Sequence, residues 1–175
     1  MSILAKLKSL VDKQEVKKDE AAQLPVVEET GKPERRNRRR VNAPAGTKVL
    51  LIDDSKTICL LLKKMLLQNQ YDVYEALTAE DGLKIAFEQQ PAMIFLDIVL
   101  PGMSGFQALR QLRKDPRTKD IPVIMISGNV QATEKYYAQR IGADDFMKKP
   151  FSRYEVFHRI EQLLDSNLIP RRKTA

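Results

Sequence analysis

At 175 residues, 43% hydrophobic and 30% charged, the chain can bury one core of ordinary size, but no apolar run approaches the ~20 residues of a membrane span. The N-terminal MSILAKLKSLVDK has lysines inside its apolar stretch and no small-residue cleavage site, which argues against a secretory signal; a single cysteine, Cys59, and a single histidine exclude an internal disulfide and a four-ligand zinc site, so a reducing cytoplasm is the expected compartment. The formal charge of +7 belongs to the ends: residues 1–47 carry 11 basic against 7 acidic side chains, PRRKTA at the C-terminus adds three basic ones, and residues 48–169 balance 16 against 16.

In chain order, Ile3, Leu4, Leu7, Leu10 and Val11 fall at helical spacing with Lys6, Lys8, Asp12 and Lys13 between them, which predicts a short amphipathic helix within residues 1–20. Residues 21–47 hold three prolines, two glycines, no aromatic residue and the block RRNRRR; they bury too little apolar surface to offset their ordering entropy and are expected to be a disordered basic linker. From Lys48 to about residue 168 short apolar runs alternate with helix-period segments. The runs are KVLLID, YDVYEA, AMIFLD, IPVIMIS and ADDFMKK; between and after them lie KTICLLLKKMLLQ, TAEDGLKIAFEQQ, GFQALRQLRKD, VQATEKYYAQRIG and SRYEVFHRIEQLLDS. Five strands alternating with five helices predict an α/β fold, a doubly wound parallel sheet covered on both faces. VLLI, MIFL and VIMI are apolar without alternation, as in strands buried on both sides, whereas YDVYEA alternates and is expected nearer an edge. Residues 169–175 are read as a basic tail.

Ligands of open parallel sheets bind outside the carboxyl ends of the strands. Those ends carry Asp53 and Asp54 on the first strand, Asp97 on the third, Ser127 on the fourth and Lys149 before Pro150 on the fifth. Three crowded carboxylates repel one another unless a cation joins them, and oxygen-only ligands at few positions suit Mg²⁺. An aspartate in such a setting can act as a nucleophile toward phosphorus, with the lysine pairing with phosphoryl oxygens and the serine hydroxyl bonding one of them. Singly, each residue has a plainer reading: Asp54 or Ser55 as a helix cap, Ser127 as a turn residue, Lys149 as a solvated surface lysine. Their joint occurrence in strand order favours a reactive site with Asp97 at its centre, left open by the turn LPGMSG that follows.

Residues 48 to about 168 resemble a response-regulator receiver domain, the CheY-like phosphoacceptor of two-component signalling, on the motifs LLIDDS, FLDIVLPGMSG, VIMISG and KKPF. The resemblance implies a flavodoxin-like sheet, Mg²⁺ held by Asp53, Asp54, Asp97 and the backbone carbonyl of Val99, phosphorylation of Asp97, a phosphate-binding Lys149 and a cis bond between Lys149 and Pro150. It implies Ser127 and Phe146 as the switch pair, with Phe where tyrosine is common in the chemotaxis type. Val99 and Asn129 stand where the family tunes water access to the acyl phosphate, and an apolar Val99 implies slow self-dephosphorylation. The implied protein is a phosphoacceptor rather than an enzyme. Its partners would be a sensor histidine kinase or histidine phosphotransfer domain and an effector reading the face of the fourth helix, fifth strand and fifth helix, including Tyr136, Tyr137, Arg140, Phe146, Lys148, Arg153 and Tyr154.

After EVFHRIEQLLDSN only LIPRRKTA remains, too little for a DNA-binding or enzymatic domain, so the protein is expected to act through another molecule. His158 within that helix is expected to be a packed or surface residue. LLIDDSKTI and FLDIVLPGMSGFQALRQLRKD resemble the twitching-motility regulators of type IV pili most. The basic arm leaves alternatives open: weak contact with an anionic membrane surface, a partner's groove, or a solvated tail. Nucleic-acid binding through RRNRRR is a further alternative, which the absence of interleaved aromatic residues in the arm argues against.

Overall fold

The computed structural model describes residues 40–128 and 132–172. The predicted N-terminal helix, most of the predicted linker including residues 35–39 of the arginine block, and Asn129 lie outside them.

Five parallel strands form one sheet: β1 (Lys48–Ile52), β2 (Asp72–Ala76), β3 (Met93–Asp97), β4 (Val123–Ser127) and β5 (Asp145–Lys148), in the order β2-β1-β3-β4-β5. Between and after them run α1 (Lys56–Leu67), α2 (Ala79–Gln89), α3 (Gly105–Lys114), α4 (Ala132–Arg140) and α5 (Arg153–Glu161). Helix starts are set by hydroxyl caps. Ser55, Thr78 and Ser152 accept the backbone N–H three residues on, and Ser104 forms a reciprocal capping box with Gln107. Ser55 is therefore the cap of α1, as its plainer reading held, while Asp54 stays exposed.

The unbroken apolar runs are explained by burial on both faces. Leu50, Ile52, Leu96 and Met125 face a cluster completed by Leu83 of α2, Leu109 of α3 and Ala138 of α4. Val49, Leu51, Phe95 and Ile126 face the opposite cluster with Leu62 of α1 and Phe157 and Ile160 of α5. Each such aliphatic side chain contributes about 1.5–3 kcal/mol on burial. β2 is an edge strand, with Asp72 and Glu75 exposed. The order reverses at β1, whose neighbours β2 and β3 leave in opposite directions, and this opens a crevice at the carboxyl ends of β1 and β3.

Two segments differ from expectation. The last eight residues of the stretch expected to be disordered, 40–47, lie on the domain. Ala43 is buried and its N–H donates to the Tyr71 hydroxyl at 3.1 Å, the Gly46 N–H donates to the Gln70 carbonyl at 2.7 Å, and the Arg40 guanidinium sits 5.4 Å from the Phe157 ring centre. The basic tail is likewise anchored as far as Arg172. Asp165 accepts the N–H groups of Asn167 and Ile169 and turns the chain, Leu164 pairs with Pro170 in an antiparallel bridge, and the Arg171 N–H donates to the Leu163 carbonyl.

The anchor of that tail is Asp144, just before β5. Its fully buried carboxylate accepts from Arg113 of α3 at 2.8 Å, from Arg172 at 3.1 Å and from the Val123 N–H at 2.9 Å. Both guanidiniums also donate to the carbonyls of Gly142 and Lys119. Burial pulls Arg113 down to about 10, with Asp144 acting against that fall, so the side chain stays charged at neutral pH.

Candidate functional site

The predicted residues converge at the crevice. Asp53 directly follows β1, Asp97 ends β3, Ser127 ends β4, and Lys149 directly follows β5, preceding a cis bond to Pro150. Asp53, Asp97 and Ser127 are buried polar residues, 1%, 4% and 0% exposed, in a core otherwise almost wholly apolar. They occupy these places because each is the first polar residue after an apolar run, and parallel strands in register bring those run ends side by side. Asp97 stands level with Ile126, and Ser127 with Lys148.

The Lys149 ammonium bridges the two buried carboxylates, 2.6 Å from Oδ2 of Asp53 and 2.8 Å from Oδ2 of Asp97. Asp53 Oδ1 accepts the Ser55 N–H at 3.0 Å, and Asp97 Oδ1 accepts the Val99 N–H at 3.4 Å. Burial raises the Asp97 carboxyl above its ordinary range; the hydrogen bond from Lys149 opposes this, and the charge of Asp53 adds to it. Burial alone would lower Lys149, but its bonds to Asp53 and Asp97 outweigh that and its net shift is upward. Nearby Cys59 is pushed up to about 11 by burial and by the Asp53 and Glu75 charges, so its thiol is unreactive at neutral pH.

The site is short of positive charge. Carboxylate oxygens of Asp53, Asp54 and Asp97 all lie within 4.8 Å of one another, against one ammonium. Oδ2 of Asp53 is buried, and its contact is the Lys149 ammonium, which it shares with Asp97. An all-oxygen set of three carboxylates balanced by a single ammonium fits a hard divalent cation such as Mg²⁺.

Asp97 itself is buried, while the loop after β3 carries its own residues to the surface. Gly102 adopts a φ of +75°, a turn conformation that favours glycine, and the Val99 side chain is 68% exposed. Gly105 starts α3 so close beneath the strand that a Cβ there would meet the Asp97 carbonyl oxygen at 1.9 Å. This close approach seats the N-terminus of α3 under the site, and no side chain could replace the glycine without moving backbone.

Ser127 Oγ donates to Glu134 Oε2 of α4 at 3.4 Å, a partner that the sequence motifs did not indicate. Phe146, placed by the sequence reading on the exposed α4-β5-α5 face, is only 6% exposed. It packs inward into the cluster that also holds Met125 and Ala138. Elsewhere on that face Tyr136, Tyr137 and Tyr154 are 63%, 38% and 67% exposed, Lys148 and Arg140 are exposed, and Arg153 is half-buried with its guanidinium over the Phe157 ring. His158 is a surface residue stacked on Tyr154, ring centres 5.7 Å apart. Among the described residues no helix is long and apolar enough to cross a membrane.

Comparison with known proteins agrees with this geometry. Residues 49–161 match the family model of the response regulator receiver domain. Protein PilH of Pseudomonas aeruginosa is 38% identical over 117 residues, which cover 67% of this chain and 97% of PilH. The DNA-binding dual master transcriptional regulator RpaA of Synechocystis is also 38% identical over 117 residues, but these span only 48% of its length. Among solved structures, chemotaxis protein CheY4 of Vibrio cholerae superposes with a TM-score of 0.66 at 26% identity, covering 69% of this chain and 100% of CheY4. The receiver domain of sensor histidine kinase PA1611 of Pseudomonas aeruginosa, with a magnesium ion coordinated in its active site cleft, gives 0.62 at 27% identity, covering 67% and 96%.

Proposed function

The chain belongs to the response regulator receiver family, and from that premise we propose that it is a phosphoacceptor: Asp97 takes a phosphoryl group from a phosphohistidine of a sensor kinase or phosphotransfer domain. The observation that carries this reading is the lysine bridge, Lys149 Nζ within 2.6 and 2.8 Å of two buried carboxylates that still exceed it in charge. An Asp97 oxygen attacks phosphorus, the bond from phosphorus to the donor imidazole nitrogen breaks, and the imidazole leaves with the electron pair and takes up a proton. The product is an acyl phosphate on Asp97. Mg²⁺, held by Asp53, Asp54, Asp97 and the Val99 carbonyl, would supply the missing positive charge for the transferring phosphoryl oxygens. Lys149 turns from bridging carboxylates to pairing with a phosphoryl oxygen, and the Ser127 hydroxyl bonds another.

Drawing Ser127 toward the phosphoryl group shifts the population of the α4-β5-α5 face, with Phe146 as the buried partner in that movement. A downstream protein reads that face. The likeness to PilH supports an output in motility or type IV pili, with the protein acting as phosphoacceptor and not as an enzyme on an external substrate. Loss of the phosphoryl group requires water to attack phosphorus and release Asp97, and the apolar Val99 at the mouth gives that water no hydrogen bond, so a long phosphoryl lifetime is expected.

The test is incubation with acetyl phosphate and Mg²⁺ followed by intact-mass measurement, for the wild type and Asp97→Asn. One added phosphoryl group in the wild type alone supports the assignment. Equal modification of both proteins, or none in either even with a histidine donor, would refute it.

A further inference from the structure

Ser127 has a claim on its hydroxyl that opposes the switch. Its Oγ donates to the Glu134 carboxylate on α4 at 3.4 Å, while the proposed function requires the same hydroxyl proton for a phosphoryl oxygen on Asp97. A hydroxyl has one proton to donate. Carboxylate and phosphoryl are both charged acceptors, each stronger than a neutral one, so they compete for the same group.

We propose that Glu134 is a latch: it holds Ser127 and α4 in the resting arrangement, and the phosphoryl group must displace it for the switch to close. This rests on the reading of Asp97 as phosphoacceptor and adds to it a residue that sets how far the equilibrium lies toward the resting state. The placement gives the latch mechanical reach. Glu134 lies one helical turn before Tyr137, whose ring packs edge-on against Phe106 of α3 at 5.0 Å and 89°, and whose hydroxyl meets Arg110. Releasing Glu134 therefore removes its tie from α4 to the end of β4, while Tyr137 one turn on stays fastened to α3. Glu134 is a positioning residue, since it acts on the site only through Ser127.

The test compares wild type, Glu134→Gln, Ser127→Ala and the double variant, measuring the acetyl phosphate concentration that half-phosphorylates each protein at steady state with Mg²⁺. Replacing the carboxylate by a neutral amide weakens the resting bond, and Glu134→Gln is expected to lower that concentration about threefold to tenfold, the scale of removing charge from one hydrogen bond. In the Ser127→Ala background the same change is expected to have no effect, because there is no hydroxyl to compete for. A Glu134→Gln effect that persists undiminished without Ser127 would show simple charge repulsion and overturn the latch; so would an unchanged midpoint in Glu134→Gln. Absence of phosphorylation in the wild type would instead overturn the phosphoacceptor reading on which the latch rests. Glu134→Asp, which keeps the charge on a shorter arm, is expected to fall between wild type and Glu134→Gln.

Discussion

The two ends of the sheet carry buried aspartates in opposite electrical states. At the carboxyl ends of the strands, Asp53 and Asp97 share one ammonium with Asp54 beside them. At the amino ends, Asp144 alone receives two guanidiniums and a backbone N–H. Both ends lie against the same apolar core, so the difference is in the count of donors. A saturated carboxylate is a structural tie, and an under-neutralised cluster stores unfavourable charge that a cation or a phosphoryl group can relieve. The comparison shows where this domain places its stability and where it gives stability up for reactivity.

The largest effect is expected at the saturated end. Asp144→Ala leaves Arg113, whose side chain is 11% exposed, with a buried charge and no ion-pair partner, and is expected to cost about 3–5 kcal/mol in urea denaturation. A loss below about 1 kcal/mol would mean that the carbonyls of Gly142 and Lys119 suffice for both arginines and that the end is not held by charge. Arg172→Ala, which keeps Arg113 on Asp144 and removes a side chain 30% exposed, is expected to cost about 1–2 kcal/mol. It would also release the bridge between Leu164 and Pro170, visible as faster amide exchange at Arg171.

At the reactive end the sign reverses. Asp97→Asn removes a carboxylate that burial disfavours and is expected to stabilise the domain at neutral pH by on the order of 1 kcal/mol. Because the folded-state pKa of Asp97 is raised, its ionisation costs stability above that pKa, and the cost is gone below the unfolded value of about 3.9. The gap between variant and wild type should therefore close as pH falls through that window, and a gap that stays constant down to pH 3 would refute the charge explanation.

Much of this was readable along the chain. Runs such as MIFLD and VIMIS announce strands buried on both faces, and in a parallel sheet the first polar residue after each run is delivered to the same edge; Asp53, Asp97 and Ser127 were legible for that reason, and Lys149 as the strand-end lysine before Pro150. The inward position of Phe146 was not, because it joins a cluster built from residues of several other elements. Residues 40–47 read as linker by composition, yet Tyr71, 28 residues beyond Ala43, supplies the hydroxyl that holds them. The tail read as free basic charge, yet Arg172 finds Asp144 28 residues before it.

The fold class and the set of polar residues gathered at the strand ends are written in the chain, since both follow from local alternation of apolar runs with polar residues and from the rule that parallel strands align their ends. Tertiary structure alone decided which groups share a charge or a proton: Lys149 between two carboxylates, Arg113 and Arg172 on Asp144, Glu134 on Ser127. Such pairings depend on distances of a few ångströms between elements far apart in the chain, and no local pattern encodes them.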